Sequence, residues 1–321
     1  MCPFCFYFCM QIMLKTDMEN KKSLVGAWVE AARPRTLPAS VSPVLLGCAL
    51  AYYDGVFDVV PAVLCLLVAL FAQIASNFAN DYFDFKKGAD REDRLGPERA
   101  VAEGWITPKA MLTGTFVTLG LACAAGLLLV CFADWRLIGV GIAIAICVLA
   151  YSAGPFPLAY NGLGDVCVLL FYGVIPVCFT YYIQTLNFSL LSFLLSVALG
   201  LLSVNILIVN NYRDYEQDKA ARKRTTIVLF GRRAGRVFYV LNECMAFLLV
   251  LPLILDAPWW ILFLFGILFA LCFYTTRELF TLEGRALNRT LGHTARNVFL
   301  FASVLSLLFL SLIHISEPTR P

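Results

Sequence analysis

Charge is what this chain has least of. Only 15% of its 321 residues are Asp, Glu, Lys or Arg, against about 25% in an ordinary soluble domain. With 60% of residues apolar, too little polar surface exists to clothe a water-soluble globule. The composition is that of an integral membrane protein. Strong charge of one sign is missing as well. A net charge of +3 leaves no electrostatic footprint for nucleic acid. Only two histidines are present, so the Cys2-x-x-Cys5 pair with Cys9 has no second pair or imidazoles to complete the roughly four ligands of a zinc site. The other nine of the 12 cysteines stand singly inside apolar runs and read as small hydrophobes. A basic segment ahead of the first apolar one is also missing, so the start is not a secretory signal. Residues 1–23 are expected to be an extension, with the true beginning at Met13 or Met18. Residues 311–321 break the apolar pattern abruptly and are expected to be non-native.

What is there is a series of apolar runs. Trp28 beside Arg33 and Arg35 has the mixed amphipathic and basic character of a membrane interface. A first run, Pro38 to Tyr53, carries Pro43 and is expected to be kinked. The others fall at about 59–80, 109–132, 136–154, 165–185, 189–210, 236–255, 259–276 and 295–313, each near the ~20 residues that cross a bilayer. The expected fold is all-α, a polytopic membrane protein of nine transmembrane helices forming one domain over 24–310. Connections alternate. The turns near Asp54, Asp134, Leu186 and Asp256 hold almost no Lys or Arg. Those at 81–108, 210–235 and 277–294 are long and basic. The excess of Lys and Arg in cytoplasmic loops puts these three, and the N-terminus, inside the cell.

Acids cluster at the ends of two of these helices. Asn77, Asp81 and Asp84 share one helical face at i, i+4 and i+7, and Asn80 and Asp84 are again i, i+4. Asp90 and Asp93 follow after Lys86, Lys87 and Gly88. Asn210, Asp214 and Asp218 repeat the pattern at i, i+4, i+8 on the sixth span. Carboxylates this close repel and raise one another's pKa. A divalent cation relieves this, and Mg²⁺ takes carboxylates together with substrate phosphates rather than an all-protein cage. Two acidic faces on one side of the membrane, each trailed by a basic loop, read as a clamp for a diphosphate, with the bases on the remaining oxygens. A third connection, Tyr151 to Asp165, is shaped by Gly and Pro. Asp165 is expected to cap the helix that follows, and Tyr151, Tyr160 and Asn161 to line a pocket. Arg289 or Arg296 is weighed as an acceptor contact against an interfacial anchor, with the anchor favoured. Intramembrane acids also mark transport pathways, but those would sit near mid-helix rather than at the ends.

At these residues the chain resembles the UbiA superfamily of intramembrane polyprenyltransferases, over roughly 26–310. One motif is similar to Asn80-Asp81-Tyr82-Phe83-Asp84, the other to Asn211-Tyr212-Arg213-Asp214-Tyr215-Glu216-Gln217-Asp218. Arg33 to Pro38, Lys87-Gly88-Ala89-Asp90, Asp93 to Pro97 and Tyr160 to Asp165 make it most similar to the 1,4-dihydroxy-2-naphthoate prenyltransferases. Two departures stand out. Many members carry their last first-motif aspartate where this chain has Gly88, leaving Asp90 as the candidate, and many carry a lysine where this chain has Ala159. The resemblance implies nine helices around a central cavity in the bacterial inner membrane. It also implies polyprenyl diphosphate and dihydroxynaphthoate as substrates, and no obligate protein partner. Asp81, Asp84, Asp214 and Asp218 would be catalytic. Asn80, Asp81, Asp84, Asp90, Asn211, Asp214 and Asp218 would hold Mg²⁺. Asn77, Arg94, Arg99, Tyr151, Tyr160, Asn161, Asn210, Arg213 and Lys223 would bind substrate. Tyr82, Tyr151 or Tyr212 would face the allylic cation. Another acceptor on the same scaffold, such as 4-hydroxybenzoate or a haem, remains the alternative.

Overall fold

The computed structural model of the protein describes residues 22–88 and 94–316, with side chains to residue 312. Asp90 and Asp93 lie outside the described residues, as do Cys2, Cys5, Cys9, Met13 and Met18. The described residues are helical and contain no strand. Helix α1 (Leu24–Ala32) is short, and Ser23 caps it by accepting from the Gly26 N–H. It stops at Arg33, whose φ of 54° is left-handed, and a 3-10 turn (Pro34–Thr36) leads into α2 (Pro38–Tyr53). Proline at the first helical position needs no N–H partner and starts α2 at no cost. The axis turns by 53° between α1 and α2.

The spanning elements follow as α3 (Val59–Lys86), α4 (Pro108–Leu129), α5 (Leu137–Ala150), α6 (Gly164–Leu169), α7 (Ile175–Thr185) and α8 (Leu190–Arg213). Then come the short α9 (Tyr215–Ala220), α10 (Thr226–Leu255), α11 (Trp259–Thr281) and α12 (Leu287–Ser316). Each stretch read from the sequence as a span is helical, but not all are full spans. Among the described residues seven helices are long and apolar enough to cross a membrane, the bent α1–α2 pair makes an eighth, and α5 is a shorter apolar helix. The helices also run on past the apolar residues at the acidic end. Helix α3 continues to Lys86 and α11 to Thr281, while α12 begins at Leu287 and α10 at Thr226 with a break at Gly231 (φ 84°). Hydropathy ends at the first charges, but backbone bonding continues where side chains cap it, as Thr225 does for the Val228 N–H.

The most buried helix is α8, which packs against α6, α7, α10 and α12. The main apolar core joins Leu46, Val177, Leu199, Ala246, Phe265 and Phe301 from α2, α7, α8, α10, α11 and α12. Helices α6 and α7 are joined by a π-turn (Leu170–Val174). Its Gly173 sits so close to α8 that an added Cβ would stand 2.5 Å from the Gly200 Cα. At the end away from the acids, Gln184 of α7 exchanges two hydrogen bonds with the backbone of Asp58 at 2.7 and 2.9 Å and fixes the start of α3. The result is a ring of helices around an open centre, in which α3 and α8 bring their polar ends to the same side.

Candidate active site

A cavity of about 560 Å³ opens along the bundle axis, within the range of small-molecule sites. Its deep part is apolar, lined by Val68, Ala122, Ile142, Val148, Phe171 and Phe179. Ile138 and Ile142 of α5 line it and are also 41% and 55% exposed, so this wall opens to the outside of the bundle. Its shallow part is polar. Asn77, Asn80 and Asp84 enter from α3, Asn210, Asn211 and Asp214 from the end of α8, and Gln217 and Asp218 from α9.

The two acidic ends meet at Lys223. Its ammonium lies 3.6 Å from Asp84 Oδ2 and 3.9 Å from Asp218 Oδ1. The turn after α9 aims it there: Arg222 is left-handed (φ 58°) and the Lys223 N–H donates to the Asp218 carbonyl. Arg99 Nη2 stands 3.5 Å from Asp84 Oδ2, and the Tyr160 hydroxyl donates to Asp84 Oδ1 at 2.8 Å. Tyr160 is itself held between two ammoniums, Lys87 at 4.2 Å and Lys223 at 4.7 Å from its ring centre. Lys87 also donates to the Ser152 carbonyl at 2.6 Å. It therefore brings an ammonium to the loop that carries Ala159. Burial pushes the Asp218 carboxyl up to about 7, Asp214 and Asp84 add to the rise, and Lys223 opposes it. Burial likewise lowers Lys87, with Asp84 opposing. Asp84, Asp165, Asp214 and Asp218 line the cavity together with Arg33, Arg94, Arg99 and Lys223, a mixture of acids and bases that suits a cation arriving with an anionic phosphate group.

Several expected residues are elsewhere. Asp81 does not line the cavity. It is 2% exposed, and its carboxylate accepts from the Ala100 and Val101 N–H groups at 3.1 and 3.4 Å. It pins the loop that delivers Arg99. Arg213 is also behind the wall, 1% exposed. Its fork donates to Asp214 at 2.7 and 2.6 Å, to Asn210 at 2.8 Å and to Asn288 at 2.6 Å. Asn288 in turn donates to the Leu95 carbonyl at 2.9 Å. Arg213 thus orients the second motif rather than reaching into the cavity. Gly96 permits this approach, since a Cβ there would lie 2.7 Å from Arg213 Nη2. Asn161 donates to the Pro157 carbonyl at 2.8 Å and shapes its own loop. Tyr82 packs under α1 and Tyr212 among the α8 and α10 residues, so neither faces the cavity. Asp165 does not cap α6; the Thr226 hydroxyl donates to it, and it lines the cavity. Arg289 pairs with Glu278 at 2.8 Å and Arg296 donates to Asn297, both away from the cavity. Arg94, Arg99, Tyr151, Tyr160 and Lys223 do line it.

The structure adds residues that the sequence did not single out for the site. Arg33, Gln73 and Tyr172 share one wall, with the Tyr172 hydroxyl donating to Gln73 Oε1. Ser152 donates to Asn80 Oδ1. Arg33 had a signal, since it opens the Arg33 to Pro38 run that carries the family resemblance. Tyr172 had none, because the π-turn that turns it inward is invisible in hydropathy. Among the described residues no three His, Cys, Asp or Glu side chains close on one point tightly enough to form a metal cage. The oxygen donors instead face each other across a gap, and Mg²⁺ prefers such a site with phosphate completing its shell.

Residues 40–304 match the UbiA prenyltransferase family. The chain is 37% identical to the 1,4-dihydroxy-2-naphthoate octaprenyltransferase of Haemophilus influenzae, over 71% of this chain and 76% of that one. It is 37% identical to the enzyme of the same name from Escherichia coli, over 69% and 74%. Its fold is similar to that of a UbiA homolog from Archaeoglobus fulgidus bound to DMAPP and Mg²⁺, with a TM-score of 0.59, 18% identity, and 85% and 99% of the two chains covered.

Proposed function

The chain belongs to the UbiA prenyltransferase family, and on that premise we propose that it transfers a polyprenyl group from polyprenyl diphosphate to 1,4-dihydroxy-2-naphthoate. Diphosphate and carbon dioxide leave, and demethylmenaquinone forms. The observation that carries this reading is the meeting of two acidic helix ends at Lys223 above an apolar cavity. Only a ligand with a phosphorylated head and a long apolar tail uses both halves.

Asn80, Asp84, Asn211, Asp214 and Asp218 would hold Mg²⁺, which supplies charge neutralisation for the departing diphosphate. Arg94, Arg99 and Lys223 donate to the phosphate oxygens. Tyr160 is fixed against Asp84, and Tyr151 and Tyr172 also line the cavity. Their ring faces stabilise positive charge as the allylic C–O bond breaks. The prenyl chain lies along Val68, Ala122 and Phe171 and leaves past Ile138 and Ile142 into lipid. The naphthoate ring carbon bearing the carboxylate donates an electron pair to the allylic carbon, and loss of that carboxylate as carbon dioxide returns the pair to the ring. The basic connections support a cytoplasmic-membrane location with the N-terminus and acidic ends inside.

The test is purified protein in detergent with Mg²⁺, labelled polyprenyl diphosphate and one acceptor at a time. Demethylmenaquinone and carbon dioxide are expected with dihydroxynaphthoate, and no product with 4-hydroxybenzoate or haem. Asp84→Ala and Asp214→Ala are expected to insert normally and lose transfer. Variants within a few-fold of the parent refute the assigned site, and product from another acceptor alone refutes the substrate.

A further inference from the structure

A second basic site lies outside the cavity, at the acidic end of the bundle between α8, α10 and α11. Arg232 and Arg236 stack on the same ring, with their guanidinium carbons 5.5 and 5.4 Å from the centre of Tyr212. Arg232 also covers Tyr215 at 5.2 Å, and Arg236 covers Phe280 at 5.1 Å. Gly235 lets this helix close in, its Cα side standing against Ile227 and Tyr212. Stacking holds each guanidinium in place but does not neutralise it. The Nε of both arginines is buried with no hydrogen-bond partner, and no carboxylate pairs with either among the described residues. Two like charges on one ring, with donors withdrawn from water and unused, call for an anion shared between them.

The surroundings say which anion. Phe230, Val237 and Phe280 flank the arginines and are 65%, 54% and 46% exposed. Helix α10 breaks at Gly231 (φ 84°) and continues as one of the elements long and apolar enough to cross a membrane, so the arginines and their exposed apolar neighbours stand at the end of a span, where basic groups meet phosphates and apolar side chains meet acyl chains. We propose that Arg232 and Arg236 form a binding site for the phosphate of an anionic phospholipid, whose chains lie along Phe230 and Val237. The site has a route to the cavity. Tyr212 sits between Asn211, which lines the cavity, and Arg213, which orients Asp214. A bound phosphate relieves the repulsion across Tyr212 and steadies the end of α8.

Lipid retention is read by native mass spectrometry of the protein extracted in mild detergent. Near a membrane surface each basic residue contributes a factor of about five in affinity for anionic lipid. The parent is expected to retain phosphatidylglycerol. Arg236→Gln is expected to weaken retention about fivefold, and Arg232→Gln with Arg236→Gln about 25-fold. The Arg→Lys pair, which keeps the charge, is expected to retain more lipid than the Gln pair. In phosphatidylcholine nanodiscs with and without phosphatidylglycerol, the parent is expected to gain activity with the anionic lipid, while the Gln pair keeps its basal rate and gains nothing. The activity arm rests on the proposed transfer reaction and the retention arm does not, so the two readings fail separately. Equal retention by parent and Gln pair overturns the site. Inorganic phosphate that replaces phosphatidylglycerol in the nanodisc assay overturns the lipid as its source.

Discussion

Replacing Arg213 by lysine separates a residue that touches substrate from one that positions another. The fork of Arg213 makes two charge-assisted hydrogen bonds to Asp214, one to Asn210 and one to Asn288. Lysine keeps the charge but carries one compact ammonium on a flexible stem. It can keep one bond to Asp214 and one other, so two are lost. Hydrogen bonds to a charged group contribute about 1.5–3 kcal/mol each, and two at the low end cost about 3 kcal/mol. A fold with about 5–15 kcal/mol in hand survives this with a lower melting temperature. Activity suffers more, because Asp214 is no longer held toward the cavity. A displacement of about 1 Å at a reacting centre costs on the order of 100-fold. The assay is the initial rate of transfer as Mg²⁺ and polyprenyl diphosphate are varied separately, with thermal unfolding measured in the same detergent. Arg213→Lys is expected to lower kcat about 100-fold and to raise the Mg²⁺ needed for half-maximal rate. KM for the diphosphate is expected to move little, since Arg213 does not line the cavity. Asn288→Ala is expected to act in the same direction more weakly. A lysine variant with normal kcat and a raised KM would mean direct contact with the diphosphate and would refute the positioning role.

Three further substitutions test the neighbouring assignments. Asp81→Asn removes one of the acceptors holding Ala100 and Val101; it is expected to cost about 1–2 kcal/mol of stability and to leave the Mg²⁺ dependence of the rate alone. A loss of transfer like that expected of Asp84→Ala, or a raised Mg²⁺ requirement, returns Asp81 to the metal. Tyr160→Phe keeps the ring between Lys87 and Lys223 but loses the hydroxyl bond to Asp84. A fall in kcat of about tenfold, equivalent to about 1.4 kcal/mol, is expected, and an unchanged rate excludes the hydroxyl from the site. Gly88→Asp places a carboxylate at the position where the family resemblance implies one, but Gly88 has φ of +66°; the variant is expected to lose about 1 kcal/mol of stability with no gain in Mg²⁺ affinity. Tighter Mg²⁺ binding by this variant rejects the turn as the reason for glycine.

The geometry of α3 explains how far the sequence could be read. The apolar runs and the basic connections are composition, so the helices and their common polar side were legible without coordinates. So was the convergence of acids, because Asn and Asp recur one helical turn apart on both helices. Which acids face inward was not. At about 100° per residue, taking Asn77 as zero, Gln73 falls at about −40°, Asn80 at about −60° and Asp84 at about −20°. All three, with Asn77, line the cavity. Asp81 falls at about +40°, a little further round. That small rotation is enough to send its carboxylate to the backbone of Ala100 and Val101 instead. Two registers, Asn77–Asp81–Asp84 and Asn80–Asp84, overlap at Asp84, and helical periodicity cannot choose between them. The choice is made by the 99–101 loop, which brings unpaired N–H groups to one side of α3 and needs an acceptor there. The same limit hid Arg213. Its neighbour Asp214 faces the cavity, so adjacency in sequence suggested a shared role. One step of about 100° instead turns Arg213 into the protein, where Asn288 and Gly96 from distant segments complete its surroundings. The motif is therefore two layers deep. Asp84, Asp214 and Asp218 line the cavity, while Asp81 and Arg213, each beside one of them or within a turn, hold the connections that aim them.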